Sequence, residues 1–278
     1  MLITGACFAL DPDAGPAPQR TCEPVEPETD DWIINITSVN DVSLAWGNSL
    51  RDCDYFEGEL FVTDFTLDSI FAVNPNTGTK TFGMPCPPEI PQVLGICCYS
   101  IPGESFIYIN DWDSDTDIYR YSTVLGWSYA FENPVAEPRG MDFDPSLNIW
   151  EIDASNHTLY TFDSLGTNPQ SWVLPELPSG YACGCTVFPF GADLGIVIGG
   201  YEYPDFYFYS FDGSTLEFLG SSPVPQSAVG SYGISWSDPT QSFYWIYGDG
   251  SIYRLCEFTV EFEVTLDQST WGAIKTEF

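Results

Sequence analysis

The stretch GMDFDPSLNIWEIDASNHTLYTF at residues 140–162 decides the fold. Gly140 opens an alternating run that ends at Pro145, the apolar run Ile149-Trp150-Glu151-Ile152 stops at Asp153, and Leu159-Tyr160-Thr161-Phe162 resumes after a polar turn. Short aromatic and β-branched runs between turn signals read as antiparallel strands, because successive side chains fall on opposite faces of a sheet.

The same order recurs on both sides of this stretch. Inner strands open at Gly95-Ile96-Cys97-Cys98, Gly184-Cys185-Thr186-Val187-Phe188-Pro189 and Gly233-Ile234-Ser235-Trp236, and Ser43-Leu44-Ala45-Trp46 is read as their counterpart in the first unit. Second strands end in a small or acidic residue, as in Leu60 to Asp64, Ile107 to Asp111, Ile196 to Gly200 and Tyr244 to Gly248. Third strands begin at Ile70, Ile118, Leu159, Phe208 and Ile252, spaced 41 to 49 residues apart. Fourth strands are expected at Thr79 to Phe82, Trp127 to Phe131, Ser171 to Leu174 and Leu216 to Leu219, and Trp32 to Ile36 is expected to close the ring on the last unit. A period of this length with four strands per unit is the signature of a radial array. One such sheet cannot cover both its faces, and packing several around an axis buries them.

The expected fold is therefore an all-β propeller of about five four-stranded blades over residues 32–256. It is flanked by an acidic, Pro-rich N-terminal arm (1–31) and a C-terminal extension (257–278). Six blades remain open, because Phe258 to Leu266 alternates as a strand and could belong to a partial sixth blade or a hairpin. The Gly-x-x-x-x-Pro element followed by an apolar strand ending in Asp and then Ile-Tyr or Leu-Tyr resembles the repeat of the NHL, SMP-30 and YVTN-like propellers. That resemblance implies the fold. For the SMP-30-like hydrolases it also implies a channel metal held by Glu, Asn and Asp from several blades. No matching set can be placed here, although Asp142, Asp144 and Glu151 lie near the inner strands.

Seven basic residues against 40 acidic ones give a net charge of −33. Phosphate backbones and anionic membranes are bound through clustered Lys and Arg, so neither nucleic acid nor a membrane is an expected partner. The start MLITGACFAL has no basic n-region and too short an apolar stretch to be read as a signal peptide. Nine cysteines suggest an oxidising setting, with Cys7–Cys22 as a candidate disulfide, while Cys97-Cys98 and Cys183-Gly-Cys185 are poor redox motifs.

Asp111, Asp113, Asp115 and Asp117 alternate along one loop and could converge on a hard cation such as calcium. The loop lacks the EF-hand glycine, and its plainer reading is an acidic hairpin in water. Asp64, Asp111 and Asp153 end equivalent strands, where a carboxylate ordinarily caps turn amides. His157, the only histidine, sits in a polar turn with no nucleophile signature beside it. The aromatic run from Tyr201 to Tyr209 fits inter-blade packing, with some rings left for a sugar or protein partner.

With no catalytic constellation identified, the sequence leads to a noncatalytic propeller. On this reading it is a structural, attachment or binding component of a larger extracellular particle, a bacteriophage virion being the setting, with protein subunits and carbohydrate as partners. The alternative is a secreted SMP-30-like metal-dependent hydrolase or a carbohydrate-binding propeller.

Overall fold

The computed structural model describes residues 32–112 and 117–264. The N-terminal arm, the Cys7–Cys22 pair and the chain after Val264 lie outside the described residues, as do Asp113 and Asp115 of the acidic loop.

Twenty strands form five four-stranded antiparallel sheets. The first blade holds β2 (Leu50–Phe56), β3 (Glu59–Asp64), β4 (Ser69–Val73) and β5 (Lys80–Pro85). The second holds β6 (Val93–Ile101), β7 (Glu104–Asp111), β8 (Asp117–Ser122) and β9 (Gly126–Glu132). The third holds β10 (Pro138–Phe143), β11 (Asn148–Asp153), β12 (Thr158–Asp163) and β13 (Gln170–Val173). The fourth holds β14 (Ala182–Phe190), β15 (Asp193–Gly200), β16 (Asp205–Phe211) and β17 (Leu216–Pro223). The fifth is built from β18 (Gly230–Ser237), β19 (Ser242–Gly248) and β20 (Tyr253–Val264), and β1 (Trp32–Ser43) supplies its outer strand.

β1 pairs with β20 along its length, from Trp32 opposite Val264 to Ser43 opposite Arg254. The ring closes at this seam, as the position of Trp32 to Ile36 predicts. Phe258 to Val264 is the far half of β20 and not the start of a sixth blade, so the described residues form five. One expectation needs correction. Ser43-Leu44-Ala45-Trp46 is the end of β1 and the turn after it, and the first inner strand is Leu50–Phe56.

The inner strands β2, β6, β10, β14 and β18 each pack on the next, and β18 packs on β2. Five apolar clusters fill the five interfaces between neighbouring blades. Trp150 and Ile152 of the third blade, for example, meet Cys185, Ile196 and Tyr209 of the fourth. The aromatic run does this work too, with Tyr203 and Phe206 to Tyr209 buried and Tyr201 partly open to solvent. The seven described cysteines are free thiols, six of them buried in these clusters as small apolar side chains. The disulfide expectation finds no support among them.

The opening glycines of the repeat have a steric cause. A Cβ on Gly95 would lie 2.2 Å from the carbonyl oxygen of Arg139, one on Gly140 2.6 Å from that of Cys183, and one on Gly184 2.6 Å from that of Tyr232. A Cβ on Gly233 would lie 2.5 Å from Cα of Asp52. Each glycine therefore lets one inner strand touch the backbone of the next. In the first blade the position belongs to Asp52.

Candidate functional site

Asp52 breaks the fivefold pattern of glycines at the axis. Because it carries a side chain, the contact between the first and second blades is made differently: Thr63 Oγ1 accepts from the Asp52 amide at 3.0 Å and donates to the Leu94 carbonyl at 2.6 Å. Asp52 Oδ2 accepts from the amides of Ile96 (2.9 Å) and Met141 (3.3 Å), on the second and third blades. Oδ1 has no hydrogen-bond partner among the described residues. The residue is 1% exposed, and burial raises its pKa well above the ordinary carboxyl value, against the opposing pull of those amides.

The residue before each of these five positions turns into one cavity. Arg51, Leu94, Arg139, Cys183 and Tyr232, one from each blade, line an axial cavity of about 280 Å³ together with Asp52 and Gly140. Phe65, Trp112, Tyr181 and Tyr201 complete the wall, the first two and Tyr201 directly following the second strands. Arg51 lies over the rings of Phe65 and Tyr232, at 5.1 and 5.3 Å, and Arg139 lies over Trp112 at 3.8 Å. Burial pushes the Cys183 thiol up to about 11, so it is a neutral wall group and a poor nucleophile at neutral pH.

Behind the wall lies a buried polar network. Asn110 Nδ2 donates to the Arg139 carbonyl at 2.8 Å and to Glu151, and Asn110 Oδ1 accepts from the Gly95 amide. Glu151 Oε1 also accepts from Asn133 Nδ2 at 3.0 Å, and burial pushes the Glu151 carboxyl up to about 8.

The other carboxylates near the axis are structural. Asp54 accepts from the Cys98 amide (2.6 Å) and the Ser235 hydroxyl (3.0 Å). Asp142 accepts from the Thr186 hydroxyl (2.6 Å) and the Val187 amide (2.9 Å), and burial pushes it up to about 6. Thr186 and Ser235 accept in turn from the amides of Trp236 and Tyr55, so these equivalent side chains lace one blade to the next. Asp144 caps its own turn through the amides of Ser146 and Asn148.

Asp64 and Asp153 likewise accept turn amides, from Thr66 and Leu67 and from Ser155 and Asn156. His157 holds a left-handed turn (φ 48°) with Nε2 2.8 Å from the Gly180 carbonyl oxygen. Of the acidic loop, Asp111 ends β7 and Asp117 begins β8. Among the described residues no group of three or more His, Cys, Asp or Glu side chains is arranged to hold a metal. Asp54 and Asp142 are committed to blade-to-blade hydrogen bonds and Asp144 to its own turn, so the donor set implied by an SMP-30-like metal site does not fit.

No protein-family model matches the chain, and no curated protein matches it in sequence. Its fold superposes on solved propellers. Against Myxococcus xanthus glutaminyl cyclase the TM-score is 0.59 at 10% identity, covering 82% of this chain and 97% of the other. Against the PQQ-bound aldose sugar dehydrogenase of Streptomyces coelicolor it is 0.58 at 13% identity, covering 82% and 99%. Against a luciferin-regenerating enzyme it is 0.54 at 11% identity, covering 81% and 95%. All three are enzymes, which corrects the expectation of a noncatalytic chain and gives the virion reading no support. At such identities the likeness establishes the fold, and the chemistry has to come from this chain's own residues.

Proposed function

We propose that the chain is a propeller enzyme of the hydrolase kind, acting on a small organic molecule in the axial cavity by proton transfer at Asp52. The observation that carries this reading is the placement of Asp52: a buried carboxyl with one partnerless oxygen, at the one inner-strand position of five that is not glycine.

The two amides on Oδ2 leave Oδ1 as the oxygen that carries the proton when the acid is neutral. Burial favours that neutral form, and the amides of Ile96 and Met141 stabilise the carboxylate once the proton has gone. A neutral acid of this kind donates its proton to the departing group as the scissile bond breaks. The bond that breaks is that of a carbonyl to which water has already added, and the proton lost from that water returns to Oδ1, so the residue ends as it began. Hydrolysis needs nothing beyond these residues and water, and no step is routed through a metal.

The test is a panel of esters, lactones and amides small enough for the cavity, assayed with the native protein and with Asp52→Asn. Turnover that falls by about 10²–10⁴-fold in the variant, the usual worth of a general acid, supports the reading. Undiminished turnover in Asp52→Asn refutes it.

A further inference from the structure

The axial cavity concentrates positive charge in a chain that has very little of it. Of the seven basic residues among 278, Arg51 and Arg139 line this one cavity. The ion pairs among the described residues are both made by Arg254, with Asp41 (3.0 Å) and Asp249 (3.9 Å). Lys80 and Arg120 are laid over Phe71 and Phe106 outside the cavity. Arg51 and Arg139 have no carboxylate within ion-pair distance among the described residues.

Their geometry leaves donors available. Both guanidinium groups lie over aromatic rings, contacts that consume none of their N–H donors. Arg139 is 7% exposed, and its one hydrogen bond to a described residue runs from Nη1 to the carbonyl of Pro138 at 2.8 Å. Burial lowers its pKa and the like charge of Arg51 adds to that, so an anion between them would relieve both effects. The remaining wall is aromatic: Tyr181, Tyr201 and Tyr232 stand around the same space. At about 280 Å³ the cavity lies just below the usual ligand-site range, roughly 300–1,000 Å³, which suits a small ligand.

We propose that the molecule bound here is a small organic oxyanion, a carboxylate or phosphate on a flat apolar body, with the anion held by Arg51 and Arg139 and the body against the three tyrosines. This rests on the axial cavity being the active site, and it adds the class of substrate. A neutral Asp52 beside the oxyanion avoids a like-charge contact. The two arginines also explain how a chain of net charge −33 admits an anion at all: at physiological salt the Debye length is about 8 Å, so the site's own charges outweigh the distant acidic surface.

The experiment is calorimetric titration of the full chain with benzoate, phenyl phosphate and neutral benzamide, repeated with Arg51→Gln, Arg139→Gln and Asp52→Asn. Arg51 is the less buried arginine, so its variant remains informative if Arg139→Gln fails to fold. The expected result is that at least one of the two anions binds tenfold or more tighter than benzamide, that Arg51→Gln removes this preference, and that Asp52→Asn retains it. The stronger of the two anions tells a carboxylate site from a phosphate site. Equal binding of benzamide, no binding of either anion, or an unchanged preference in Arg51→Gln overturns the proposal. Anion binding together with turnover that ignores Asp52→Asn would sink the catalytic reading alone, and Asp52-dependent turnover confined to neutral substrates would sink the oxyanion alone.

Discussion

Asn110 joins Glu151 to the main chain of Arg139: one side-chain amide group donates both to the Glu151 carboxyl and, at 2.8 Å, to the Arg139 carbonyl. A buried acid on the third blade is thereby tied to the segment that presents an arginine to the cavity. That acid is 0% exposed, and burial holds its pKa at about 8, against about 4.5 for an exposed glutamate.

Between those two values the folded protein keeps a proton that the unfolded chain has released. Stability from this group is therefore full at acid pH and falls as the pH rises from about 4.5 to 8, by at most about 1.4 kcal/mol per pH unit. Asp52, also raised, acts in the same direction. The thermal midpoint should drop between about pH 5 and pH 8, and Glu151→Gln should flatten that dependence. Equal slopes in the native protein and the variant would show that Glu151 does not titrate in this window.

Replacing Asp52 by glycine restores the fivefold ring and removes the proton donor together. Hydrolytic turnover should be lost by at least about 10²-fold, while the protein still folds with its five sheets. Near-native far-ultraviolet circular dichroism alongside lost activity is the expected pair of readings.

Thr63 spans the gap that Asp52 opens between the first two blades. Thr63→Val keeps the volume and leaves the Asp52 amide and the Leu94 carbonyl without that partner, at a cost of about 1–3 kcal/mol. Urea unfolding should show a lower midpoint with an unchanged slope.

Gly184→Ala tests the backbone contact between the fourth and fifth blades. Its Cβ would meet the Tyr232 carbonyl oxygen at 2.6 Å and Ile234 Cγ2 at 2.9 Å, so the strands must part. A loss of about 1–3 kcal/mol is expected, as for overpacked cores. An unfolding midpoint equal to the native one would mean that the inner strands are not held at this distance.

Much of the blade order is legible in the sequence because its signals are local: alternation, turn glycines and a period that repeats. The site is not legible in that way. Asp52-Cys53-Asp54-Tyr55 lacks the glycine that opens the other inner strands, so Ser43-Leu44-Ala45-Trp46 looks like the better match and hides Asp52 among acidic loop residues. Arg51, Leu94, Arg139, Cys183 and Tyr232 share no chemistry, only a position immediately before the glycine or its substitute. Their convergence appears once the blades are aligned on the closest approach of neighbouring backbones. Asp142, Asp144 and Glu151 look alike in the sequence, and only hydrogen-bond geometry separates the blade lacing of the first from the turn cap of the second and the buried support of the third.

The pairing of Trp32–Ser43 with Tyr253–Val264 also sets an order of events during synthesis. The outer strand of the fifth blade leaves the ribosome before any of its three partners, which follow some two hundred residues later. Until they arrive its hydrogen-bonding edges have no mate in their own blade, while blades one to four can form from neighbouring strands as they emerge. Closure is then a single late step of high contact order, and it should limit the folding rate. The axial cavity draws on all five blades, so it comes into existence only at that step, and a partly made chain has no site to use.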